Sequence, residues 1–319
     1  MPQIPFVSTA EINTFVDRKI RPTIVDQRYQ SKALFGITRA KKRLIIEDGG
    51  SIIAQPILAN PNETAITYLG ADVLPTDAQE EFTSYEIPWK QAQVSVTIVA
   101  LDKLRATGKR AQLNLVKDKI ESAYMALFDK MGSQLYANGQ GNKGKDWDGL
   151  GAALNNASGF QVYNGIDRVA NPWWQAQVFN PGSATALSTA SMMTLWMQCK
   201  TDEERIHLLV ATKTGYASFW SLLTPQEQFF DSEIASLGFR NIAFQGSAMV
   251  DDSGVPSGTI KFINLDHFRF YVHRDENFAF SGFDRPINQN VDTGHVFLTG
   301  NFELRKPASC GDYQAISNG

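Results

Sequence analysis

The chain has 319 residues, 43% of them hydrophobic and 20% charged, with a formal net charge of −3. Apolar content on that scale fills one large core or two joined ones and excludes a disordered chain. The longest apolar runs fall far short of the roughly 20 residues that a bilayer crossing needs, which excludes a helical membrane span.

The start of the chain, Met1 to Phe15, lacks the basic-then-apolar layout of a secretory signal, so the protein is expected to stay in the compartment where it is made. Cys199 and Cys310 are read as lying in different surroundings, and two cysteines are too few for a disulfide framework or a structural zinc site. Without export, the sequons at Asn62 and Asn156 are chance matches. Charge is unevenly spread: residues 1–43 carry +6 and the remainder −9. This arm ends in Arg39, Lys41, Lys42 and Arg43. Two readings of it stay open, a solvated face or a surface turned to nucleic acid or an acidic neighbour.

Ser8 and Glu11 have the form of a capping box, and Ile12, Phe15, Val16 and Ile20 then share one helical face, so a short amphipathic helix is expected to end before Pro22. Between Leu44 and Ala100 the pattern turns to strands. Ser51–Leu58 reads as one leg of a hairpin, and the alternation of Val94, Val96 and Ile98 with polar neighbours reads as the other. The connection, centred on Ala59–Phe82, is far longer than the 2 to 5 residues of an ordinary hairpin turn. It carries Ile66, Tyr68, Leu69, Gly70, Val73 and Leu74, and apolar groups on a projecting loop imply that something covers them.

A long helix follows from about Lys109 to Ala137, where Leu113, Val116, Ile120, Tyr124, Leu127, Met131 and Leu135 recur every three or four residues, and Asn138-Gly139 supplies the stop. Such a helix needs a sheet to lie on, and strands near Ile260–Ile263, Phe268–Val272 and Val296–Leu304 are expected to supply it. Trp147 to about Asp252 alternates helix-like and strand-like stretches and reads as an α+β lobe.

Motifs for chemistry fail on context. Gly139–Asp146 satisfies a glycine-rich phosphate pattern but follows a helix C-terminus, where the dipole repels anions. Asp252-Ser253-Gly254 and Asp292-Thr293-Gly294 look like paired aspartic-protease signatures, yet they are too close in sequence for two lobes. His207, His267, His273 and His295 show no metal-ligand spacing. No enzyme activity, metal or cofactor is expected.

Several stretches, taken in order, resemble the major capsid proteins of tailed bacteriophages. The loop tip Ala65–Gly70 precedes Phe82–Gln91, which resembles the return leg of that family's extended loop, and Leu135–Gly139 closes a helix similar to its spine helix. Trp147-Asp148-Gly149-Leu150, then Tyr163–Arg168 with Gly165, Ile166 and Asp167, and Asn171-Pro172-Trp173-Trp174 are the most specific match. Ile287–Val291 and Gly300–Phe302 resemble the closing strands.

The resemblance implies an α+β capsid fold: an N-terminal arm (1–43), an extended β-hairpin loop (44–100), a peripheral domain on the spine helix (101–146), an axial domain (147–258), and closing strands shared between the two (259–319). It implies a virion protein, assembled in the host cytoplasm, that forms hexamers and pentamers around non-specifically bound double-stranded DNA. A separate scaffolding protein and a portal are implied partners, and no membrane is. An encapsulin-like compartment with the same fold, and an aspartic hydrolase using Asp252 and Asp292, are the alternatives.

Overall fold

A computed structural model describes residues 33–106, 108–200, 204–223, 234 and 241–317. The helix expected after Ser8, and most of the basic arm, lie outside the described residues. The described chain begins with helix α1 (Ala33–Ala40), whose Leu34, Phe35 and Ile37 are buried, and continues through β1 (Leu44–Glu47), β2 (Ile52–Leu58), β3 (Phe82–Pro88) and β4 (Lys90–Val99). Helices α2 (Ala100–Arg105) and α3 (Lys109–Gln134) follow. Short strands β5 (Val162–Tyr163), β6 (Ile166–Asp167) and β7 (Gln177–Phe179) lead to α4 (Thr189–Cys199), β8 (Leu208–Ala211) and α5 (Lys213–Leu222). The chain closes with β9 (Asn241–Phe244), β10 (Ser247–Asp251), β11 (Ile260–Ile263), β12 (Phe268–Phe280), β13 (Val291–Leu304) and β14 (Gly311–Tyr313).

Two sheets organise these elements. One has four strands in the order β1-β12-β13-β4, the other six in the order β7-β14-β11-β8-β10-β9. The long helix α3 lies on the first. Val116, Ile120, Tyr124, Leu127 and Met131 form its buried stripe, set by the 3.6-residue period. At 1.5 Å per residue it is about 39 Å long. Phe278 sits at a register shift in β12 with φ +53, unusual for an aromatic residue, and the bulge turns its ring onto Phe128 at 4.6 Å. Tyr124 fixes the same point by donating its hydroxyl to the Phe278 carbonyl at 3.1 Å.

Helix α3 ends at Gln134, and the next residues tighten into a turn before Gly139 at φ +73. In the six-stranded sheet, β8 is buried along its whole length, as a strand covered on both faces must be. Met192 and Leu195 of α4 and Phe219 of α5 pack with Phe262 and Tyr313 in a second apolar cluster. Among the described residues no helix is long and apolar enough to cross a membrane.

Two expectations change. The partner of β2 is β3, running Ile52↔Pro88 to Leu58↔Phe82, the return leg that the resemblance implies, while the alternating Val94–Ile98 run belongs to β4 and pairs with β13 in the four-stranded sheet. Ile260–Ile263 lies between β14 and β8 in the other sheet, not in the sheet on which α3 lies. Cys310 lies in the core that holds α3 and Cys199 in the second apolar cluster; both thiols are buried, and burial pushes both of their pKa values up.

Candidate functional site

The β2–β3 hairpin stands outside both sheets as a two-stranded ribbon. From Asn60 to Glu80 every residue except Thr64 is exposed, and no regular strand or helix forms there. Local polar contacts shape the tip. Asn60 bonds across to the Glu80 and Glu81 carbonyls, the Asn62 side chain meets Glu81, and the Leu69 N–H donates to the Asp72 carboxylate at 2.8 Å. Gly70 takes φ +61, where a side chain would be strained.

Ile66, Tyr68 and Leu74 are exposed, with Leu69 at 86% and Val73 at 93% of their full surface. All six apolar-tip residues expected from the sequence therefore lie on one projecting element and face solvent in the single chain.

The ribbon's root is as buried as its tip is bare. Tyr85 of β3 is fully buried, packs its ring at a tilt against Trp174 with centroids 5.4 Å apart and donates its hydroxyl to Glu303 of β13. Burial pushes the Glu303 carboxyl above the usual carboxylate range, opposed by the hydroxyls of Tyr85 and Tyr271 and by the charges of Arg269 and Arg305. The Glu86 N–H donates to the Asn164 carbonyl at 2.9 Å, and Asn301 donates to the Pro88 carbonyl at 2.9 Å. Asn301 also binds Asp148, which receives Lys90 at 2.7 Å, so the root is tied to the loop after α3.

The tryptophan-rich stretch builds this anchorage. Trp147 is fully buried between Phe270 and Phe302, with both ring centroids at 5.5 Å. Gly149 passes so close to the end of α3 that a Cβ would lie 2.2 Å from the Gln134 carbonyl. Asn164-Gly165, both with positive φ, make the tight turn between β5 and β6. Ile166 is buried, and the Asp167 carboxylate accepts the Val169 N–H at 2.8 Å.

Trp174 donates to the Tyr163 carbonyl at 3.0 Å, and Trp173 packs at the edge of the core. Arg168 is almost fully buried, gives its guanidinium to the carbonyls of Ala152, Ala153 and Asn155, and lies 4.8 Å from the Tyr163 ring centroid. Sequence reasoning missed Tyr85, Arg168 and Glu303 as anchors. A lone carboxylate inside the apolar run Val296–Leu304 was the available signal for Glu303.

Arg39 sits in the last turn of α1, and Lys41, Lys42 and Arg43 lead from it to β1. Arg39 and Lys42 are exposed, and Lys42 has φ +56. Arg43 is engaged inside the subunit: it pairs with Asp266, and its carbonyl receives the Phe270 N–H at 3.0 Å.

The hydrolase pair is not assembled. Asp252 sits in the turn after β10 and accepts the Gly254 N–H at 2.9 Å, whereas Asp292 lies on β13 in the other sheet. Asp292 is paired with Lys103 and, at 3.0 Å, with Arg285, and these cations hold its pKa below the usual range. Carboxylates sharing one proton require the opposite, a raised pKa on one partner.

No family model and no curated protein matches the sequence. Solved structures do match in shape. The capsid asymmetric unit of cyanophage A-1(L) superposes with a TM-score of 0.64 at 14% identity, over 86% of this chain and 90% of that one. The capsid of a native GTA particle gives 0.59 at 10% identity, over 88% and 90%. The procapsid of satellite phage P4 with its size determination protein gives 0.52 at 12% identity, over 99% and 98%. Across nearly its whole length, then, the chain has the α+β fold of tailed-phage major capsid proteins.

Proposed function

We propose that the protein is a structural shell subunit, the major capsid protein of a tailed phage head, and performs no catalysis. The observation that carries this reading is the contrast within one element: a ribbon fixed at its root by Tyr85, Glu303 and Asn301 and bare at a tip rich in apolar groups. A folded chain that exposes Leu69 and Val73 so fully gains by burying them on another surface, at roughly 1.5 to 3 kcal/mol for each large apolar side chain. Many weak copies of that contact add up to a stable shell through avidity.

On this reading the ribbon with its flanking strands (44–100) is the inter-subunit loop. The peripheral domain is built on α3 (101–146), 147–258 is the axial domain around which hexamers and pentamers form, and the closing strands 259–319 are shared between the two. Arg39 and Lys42 at the end of the basic arm (1–43) face packaged double-stranded DNA. A scaffolding protein and a portal complete the assembly in the host cytoplasm.

The test is electron microscopy of the expressed protein, with its scaffold if required, beside a variant in which Asn60–Gln79 is replaced by a short turn. Rings or shells are expected from the intact chain and monomers of unchanged fold from the variant. Shells of normal stability from the variant overturn the loop's role, and a monodisperse monomer from the intact chain under all conditions overturns the shell. Recovery of a cargo protein instead of DNA identifies a protein compartment.

A further inference from the structure

The two sheets are joined directly by two crossings that run side by side. β11 continues through Asn264–His267 into β12, and β13 returns through Arg305 and Lys306 towards β14. Their backbones are tied. The Arg305 N–H donates to the His267 carbonyl at 2.9 Å, and the His207 N–H, at the entry to β8, donates to the Ile263 carbonyl at 3.1 Å.

Around these ties lies a compact polar cluster containing two imidazoles. His267 Nε2 is 3.2 Å from one oxygen of Glu204, whose other oxygen takes the Lys306 ammonium at 2.6 Å. Asn264 donates to the same carboxylate at 3.4 Å. His207 Nε2 accepts from Arg205 Nε at 3.3 Å and lies 3.5 Å from Asp266, which is also held by Arg43. Lys41 adds its charge to the field at His207, and Lys306 and Asp266 theirs at His267.

Among the described residues, Lys41 and Arg205 oppose a proton at His207 and Lys306 opposes one at His267, while Asp266 and Glu204 favour it. A proton on either ring also places charge in a half-buried site. On His207 it also destroys the lone pair that accepts from Arg205.

We infer that His207 and His267 form a proton-operated clamp at the crossing between the two sheets, closed while both rings are neutral and released when they charge. Burial is the largest influence on both rings and pushes their pKa values below the ordinary histidine range, with Asp266 and Glu204 pulling the other way. The sign follows. The clamp is complete above the unperturbed value of about 6.5 and is lost as pH falls through the depressed folded values. Apolar packing of Leu208, Val210 and Ile263 in the same core as Phe268 and Phe270 keeps the sheets attached when the clamp opens, so what changes is the freedom of one sheet to turn on the other. The inference concerns a single chain and stands whether or not the chain builds a shell.

The experiment is deuterium exchange on the full chain at about pH 7.5 and about pH 5.5, corrected for intrinsic rate, with the wild type beside the double variant His207→Gln, His267→Gln. Peptides covering 204–210, 263–269 and 304–310 are expected to exchange about tenfold faster at the acid pH, with the β4–β13 pairing unchanged, and the double variant is expected to lose that pH response. Titration of the imidazole protons in the wild type should place both rings below about 6.5. Junction exchange that ignores pH, an equal response in the double variant, or either ring titrating at or above that value overturns the clamp. If the double variant does not fold, the wild-type titration decides alone.

Discussion

Gly149 and Gly165 are held to glycine by different physics, and substituting each by alanine separates the two. At Gly149 a Cβ would sit 2.2 Å from the Gln134 carbonyl and 2.4 Å from that of Leu135, contacts with backbone that cannot swing aside. At Gly165 there is open space, and only the left-handed φ of +82 opposes a side chain. Gly149→Ala is expected to cost about 3 kcal/mol or prevent folding. Gly165→Ala should cost about 1 kcal/mol, both read from urea unfolding.

Glu303 offers a test with the opposite sign. Its carboxyl has a raised folded pKa, so the penalty of burying its charge is present at neutral pH and disappears as pH falls through that value. Glu303→Gln keeps an acceptor for Tyr85 without the charge. It is expected to raise the melting temperature at pH 7 to 8 and to lose that advantage near about pH 4.5, followed by thermal unfolding across pH.

Among elements, the β2–β3 ribbon separates stability from association most cleanly. Leu69 and Val73 touch little of their own subunit, so Leu69→Ser with Val73→Ser should leave the subunit's melting temperature unchanged. Losing roughly 3 kcal/mol of apolar burial across the contact should raise the concentration needed for assembly by about a hundredfold, measured by light scattering. The ribbon's tip was legible because apolar residues in an overlong connection have no local use.

The resemblance placed its second strand at Phe82–Gln91, but periodicity alone misplaced it. Alternation in Val94, Val96 and Ile98 reports that one face is buried but not which strand lies alongside, and the pairing of β4 with β13 is decided about 200 residues away. Ile260–Ile263 fails the same way, its four buried residues suiting either sheet. Helix α3 was legible almost to the residue, since its stripe repeats over seven turns.

At the scale of the molecule, charge and topology set what the chain can do. Arg39 and Lys42 are exposed while Arg43 helps hold α1 to the turn before β12, so the basic segment divides into a solvent-facing part and an anchored part. On the proposed reading Lys42→Gln should weaken retention of packaged DNA and leave the unfolding midpoint unchanged, whereas Arg43→Gln should lower that midpoint. Ejection of DNA on heating and denaturant unfolding of the free subunit distinguish the two effects. Polar anchors such as Arg168 and the Lys90, Asp148 and Asn301 network could not be read beforehand, because their partners come from distant segments and no local pattern announces them.

The strand orders carry one more implication. The inner strands of the four-stranded sheet, β12 and β13, and the second strand of the other, β14, all come from the last fifth of the chain. While a ribosome is still making the protein, β1 and β4 have nothing between them and the tyrosine at the ribbon's base has no carboxylate to meet. A chain cut short by premature termination thus never displays a properly mounted ribbon, and on the proposed reading the order of synthesis alone keeps such a chain out of a shell.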